Sequence, residues 1–165
     1  MAMSIYFILG FFFVSITGTL AHFLYDFSDQ NCIVGLFTPV NESTWEHMKL
    51  IFFPMLLYSL FTISKLHEQY PCVKNGLFIG MIIGTFLIPI LFYAYTSVLG
   101  YNKLIIDVSI FYLSVFVAFV TAYWITSNGY CSSSKVISII ILLLTVMFIV
   151  FTYFPPNIDI FKSPV

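Results

Sequence analysis

Asn41, Glu42, Trp45, Glu46, His47 and Lys49 bring a carboxamide, two carboxylates, an indole, an imidazole and an ammonium into the short stretch Thr38–Lys49. Histidine together with Asp or Glu is a normal ligand set for zinc and other first-row divalent ions. A carboxylate beside such an ion can take a proton from water and so support hydrolysis. Glu42, Glu46 and His47 are therefore the candidate catalytic groups. His22, Asp26, Glu46, His47 and Asp107 are the candidate metal ligands, and Asn41, Trp45, Lys49, Tyr25, Tyr93 and Tyr95 the candidate substrate contacts. The spacing is no zincin H-E-x-x-H, and there is no G-x-S-x-G elbow or phosphate-cradling glycine loop.

The elements that position these groups are made of hydrocarbon. The chain has 165 residues, of which 61% are hydrophobic and 8% charged, with mean hydropathy +1.03. A soluble domain carries about 25% charged residues. The expected class is an all-α integral membrane protein, a compact bundle of about five transmembrane helices forming one domain over residues 1–165. The formal charge of −1 argues against a nucleic-acid partner, and the absence of arginine removes the bidentate phosphate clamp. The partner implied throughout is the lipid bilayer. Cys32, Cys72 and Cys131 form no C-x-x-C pair, and their odd count reads as free thiols.

Apolar periodicity places the spans at about 4–27, 44–65, 76–98, 104–126 and 135–153. The first lacks a basic leader and a small-residue cleavage site, so it reads as a span, not a signal peptide. Ser15, Thr19, His22 and Asp26 share one face of it, and His22 and Asp26, one turn apart, can share a hydrogen bond. Residues 28–42 read as a connecting loop whose apolar piece Cys32–Phe37 is too short to cross. Ser43-Thr44-Trp45-Glu46 fits a capping box at the start of span two, and Trp45 suits an interfacial anchor. Pro54 and Pro89 predict bends. Gly76, Gly80 and Gly84 form a GxxxG stripe for close helix contact, either within the chain or in a homodimer. Lys103, one turn before Asp107, is a possible charge partner for it. Residues 127–134 read as a turn, and the tail after Pro155-Pro156 either packs as a lid or frays.

Five alternating spans put the end of the first, third and fifth and the start of the second and fourth in one leaflet. That leaflet collects His22, Asp26, Glu42, Glu46, His47, Lys49, Tyr93, Tyr95, Asp107 and Tyr153. Intramembrane ionisable groups point to function by default. The leading expectation is a metal-dependent intramembrane hydrolase acting on a lipid, lipid-linked or peptide substrate, with a divalent metal such as zinc. The alternatives are a small-solute or ion transporter or binding subunit, and a scaffold in which the motif only locks helices together. Lys65, Lys74 and Lys135 on one side against Lys49, Lys103 and Lys162 on the other lean toward a site facing out.

The segments His22–Asp26, Pro39–Lys49, Phe151–Pro156 and Ile160–Lys162 resemble an uncharacterised family of small bacterial multi-pass membrane proteins, with the pattern HFxYD…PVNESxWEHxK. The resemblance spans nearly the whole chain and implies a multi-pass protein of the bacterial inner membrane; it brings no activity with it. In kind, a Glu-and-His intramembrane site is similar to the CAAX-type prenyl-protein proteases. This chain lacks their adjacent glutamate pair and following arginine, so no residue roles carry across.

Overall fold

Hydrocarbon leaves a spanning backbone no partner but itself, so apolar runs of this length become helices. The computed structural model describes residues 2–131 and 134–164, with the backbone alone at 2 and 134. Ser132 and Ser133 of the expected 127–134 turn lie outside the described residues. Five long helices, α1 (Ala2–Phe27), α3 (Thr44–Leu66), α4 (Val73–Leu99), α5 (Leu104–Ser127) and α6 (Ser134–Tyr153), are each long and apolar enough to cross a membrane. The chain is a multi-pass membrane protein built as one helical bundle. The loop after α1 contains a single helical turn, α2 (Cys32–Gly35), and the tail a 3₁₀ turn, Asp159–Phe161.

Local chemistry sets the helix ends. Asn31 caps α2, its Oδ1 accepting from the Ile33 and Val34 amides at 2.9 and 3.4 Å. Ser43 caps α3, its Oγ accepting from the Glu46 amide at 3.4 Å. The capping box is only half made. The Ser43 amide donates to Asn41 Oδ1 at 2.8 Å, which leaves the Glu46 carboxylate free for another task. Gly100, at φ 77°, ends α4 in the left-handed region, where only glycine has no steric cost. Buried and lipid-facing hydroxyls turn back on their own helices: Thr17 donates to Phe13 O at 2.6 Å and Thr126 to Ala122 O at 2.7 Å. Pro54 and Pro89 both lie within continuous helices.

The least apolar span, α3, is also the most buried, packing against α1, α4, α6 and the tail's 3₁₀ turn. Met48, Ile51, Phe52 and Met55 form its fully buried face. Of the two contacts open to the glycine stripe, the structure has the one within the chain. A Cβ on Gly80 would stand 2.3 Å from Ala118 O, and one on Gly76 would stand 2.5 Å from Ala122 O. The α4 backbone therefore lies directly on α5 along this stripe.

Two expectations need correction. Cys72 and Cys131 are joined by a disulfide, with Cα atoms 5.0 Å apart, and only Cys32 is a free, exposed thiol. The antiparallel α4–α5 hairpin brings the start of one helix to the end of the other, so cysteines 59 residues apart in sequence meet at one membrane end. An odd count excludes complete pairing, not a single pair. Trp45 is not an interfacial anchor: it is 5% exposed, with Phe148 and Phe161 ring centroids at 4.7 and 4.9 Å. It holds the tail to the bundle, so the tail packs down.

Candidate metal centre

Helix alternation carries distant polar residues to one membrane end, where they separate into two clusters. The first is dry. Lys49 is fully buried and Glu46 is 2% exposed. Lys49 Nζ donates to Glu46 Oε2 at 2.7 Å, to Gly35 O at 3.0 Å and to the Thr152 hydroxyl, with Thr38 O at 3.4 Å. Glu46 Oε2 also accepts from the Val40 amide at 3.0 Å, and Thr152 lies 3.5 Å from Oε1. An ammonium has three donors, and here all are used. Gly35 can offer its carbonyl because α2 packs tightly over the pair: a Cβ on Gly35 would meet the Tyr153 hydroxyl at 2.7 Å and Tyr25 at 2.9 Å. Tyr153 in turn donates to Cys32 O at 2.6 Å. The cluster ties α3, α6 and the α2 loop together.

The second cluster is wet and lies on the other side of α3. His22 Nε2 and His47 Nε2 are 3.2 Å apart. Glu42 Oε2 is 3.4 Å from His47 Nε2 and 3.8 Å from His22 Nε2. These three residues could hold a metal ion, since their ligand atoms all lie within 4.8 Å of one another. His47 Nδ1 lies 2.9 Å from Ser43 O. Carbonyl oxygen only accepts, so Nδ1 carries the proton and Nε2 turns its lone pair toward His22 and Glu42. The imidazoles are about one-third exposed and Glu42 is 68% exposed, so the group is open at one side.

The open side faces a cavity of about 410 Å³. His22, Glu42, His47 and Asp107 line it with Asn102, Thr19 and Tyr112. Phe92, Val108, Ile110 and Phe111 supply apolar wall, and Pro164 of the tail reaches its edge. Asp107 accepts a hydrogen bond from the Tyr95 hydroxyl, which itself accepts from the Lys103 amide at 3.2 Å. Lys103 Nζ sits over the Tyr101 ring instead of pairing with Asp107.

The structure thus brings His22, Glu42 and His47 together and sets Asp107 in the same cavity. It puts Glu46 and Lys49 in the dry cluster, with Glu46 Oε2 held by Lys49 and the Val40 amide, which separates Glu46 from the group it was expected to join. Asp26 is exposed, and His22 turns to His47 and Glu42 instead of to it. Asn41 caps a turn, Tyr25 packs on Gly35, Tyr93 is exposed beside Phe92, and Trp45 serves the tail. None of these four lines the cavity. Thr19 and Tyr112, which do, were missed as site residues. Thr19 shares a helical face with His22, the one signal that could have found it.

No curated protein and no solved structure matches the chain. A family model described as a family of unknown function (DUF6512) matches residues 1–165.

Proposed function

The chain belongs to the DUF6512 family, and from that premise we propose that it is a zinc-dependent hydrolase of the bacterial inner membrane, with His22, Glu42 and His47 as the metal ligands. The supporting observation is the set of three separations, 3.2, 3.4 and 3.8 Å. Two ligand atoms on one tetrahedral zinc, each at about 2.0–2.1 Å, stand about 3.3–3.4 Å apart. Three protein ligands and an open fourth position are the arrangement of catalytic zinc, in contrast to the closed four-ligand structural site. The likeness of residues 22–26, 39–49, 151–156 and 160–162 to small bacterial membrane proteins supports the location.

The ion would supply Lewis acidity, making water a nucleophile near neutral pH and polarising the bond to be cut. With an ion bound, His47, fixed by Ser43 O, and His22 would offer their Nε2 lone pairs, and Glu42 would complete the set. Asp107, oriented by Tyr95 on the same cavity, takes the proton that water loses as its oxygen bonds to the substrate's acyl or phosphoryl centre. The bond to the leaving oxygen or nitrogen breaks, and that atom receives the proton from Asp107. Glu46 takes no part, because it is 2% exposed and its Oε2 is committed to Lys49 and the Val40 amide.

Elemental analysis of purified protein tests this. Native protein and Glu46→Gln are expected to hold about one zinc per chain, and His22→Ala and His47→Ala much less. Equal content in all four, or none in any, removes the metal centre. Metal-free protein that binds a small solute in the cavity would turn the assignment to the transport alternative.

A further inference from the structure

Beside the metal centre lies a second hollow, and the two share a wall. A groove of about 360 Å³ runs along α1 and α5, lined by Phe11, Phe12, Ile16 and Leu20 with Ser15, Thr19 and Tyr112. Thr19 and Tyr112 also line the metal-centre cavity. In this shared wall the two hydroxyls are 3.1 Å apart. Thr19 already donates to Ser15 O at 2.8 Å, so Tyr112 is the donor in this bond.

We propose that the substrate is a lipid-type amphiphile, which enters from the bilayer and lays its chain in the α1–α5 groove with its polar head at His22, Glu42 and His47. This rests on the hydrolase reading and adds its substrate class. The order of the lining is the order of a lipid. Titratable groups stand at the membrane end, and hydrocarbon stands deeper. From His22 to Phe11 a helix rises about 16 Å, half of the roughly 30 Å hydrocarbon thickness, which is the depth one chain occupies in one leaflet. Phe12, Ile16 and Leu20 are exposed on the outer surface, so the groove opens to the lipid without a barrier of protein. An extended peptide would bring a row of amides and carbonyls into a space with too few partners for them.

The test uses the full chain in phosphatidylcholine nanodiscs, with a diazirine-bearing palmitate analogue as probe. Metal-free protein is expected to be labelled at α1–α5 groove residues, with labelling suppressed by excess palmitate and by Ile16→Trp, which fills the groove from its lipid-facing side. Labelling there that matches the lipid-facing Leu142 and Leu143 of α6, and resists competition, overturns the proposal whether or not zinc binds. Suppression by an apolar peptide but not by palmitate also overturns it. In zinc-loaded protein, Ile16→Trp is expected to weaken dodecanoyl hydroxamate about tenfold, the loss of roughly two buried methylenes, and to leave acetohydroxamate unchanged. Equal effects on both hydroxamates overturn the chain site and keep the hydrolase reading. Competed labelling in a protein that takes up no zinc keeps the chain site and removes the hydrolase reading.

Discussion

Glu42 and Glu46 stand four residues apart and differ in almost every other respect. Glu46 neutralises a buried ammonium, so removing it strands the Lys49 charge in a dry site. Glu46→Ala is expected to cost about 3–5 kcal/mol of stability, seen as a lower unfolding midpoint in detergent, and the pair Glu46→Leu with Lys49→Met should recover most of it. A variant that keeps the native midpoint but loses zinc would mean the two clusters are not separate. Glu42 is exposed, and Glu42→Gln should leave the midpoint unchanged while weakening zinc by at least about tenfold, read by competition with a chelator. Spacing alone does not distinguish the two acids. Both fall in one polar block, but Glu42 lies in the loop before α3 and Glu46 in its first turn, where the helix turns Glu46 and Lys49 toward Thr152 and His47 toward His22. Partners more than 100 residues away leave no trace in a local pattern. His22 and His47 were legible, because each sits at a helix end that alternation assigns to the same leaflet.

At the scale of the helices, hydropathy and small residues were enough to place the five spans. The same five segments are the membrane-length helices of the fold, with ends within a few residues of those expected. The glycine stripe was legible as a close contact, but its partner was not, since Ala118 and Ala122 of α5 look like any apolar span. This contact makes a sharp prediction. Gly80→Val should destabilise by about 1–3 kcal/mol, because the nearest obstacle is the Ala118 carbonyl and backbone cannot swing aside as a side chain does. Ile90→Val, on the lipid-facing side of the same helix, should change stability by less than about 0.5 kcal/mol. Thermal unfolding of both in the same detergent checks the contrast, and equal midpoints would mean that α4 and α5 do not lie this close. The role of Trp45 was hidden for a similar reason. An indole at a helix mouth reads as a membrane anchor until a tail arrives to cover it, and the tail's Phe161 carries no signal of its destination.

For the whole molecule, zigzag topology explains why one end is rich in ionisable groups, but it leaves open which compartment that end serves. Lysine numbers help little: Lys49 is sealed in an internal pair, so three lysines oppose two. The cystine between Cys72 and Cys131 speaks more strongly. Thiols within reach of glutathione and thioredoxin stay reduced, so a structural cystine marks the face turned away from the cytosol. Cys32, at the opposite end, then becomes a reporter. A membrane-impermeant maleimide should leave it unmodified in intact spheroplasts and modify it once they are lysed; reaction in intact spheroplasts would reverse the assignment. With the cystine outward, the histidine mouth would open to the cell interior, the reverse of the outward lean expected from the lysines. Under the proposed hydrolase reading, the ion would come from the tightly buffered cytosolic pool, and the water-soluble half of the product would return to metabolism instead of being lost to the surroundings.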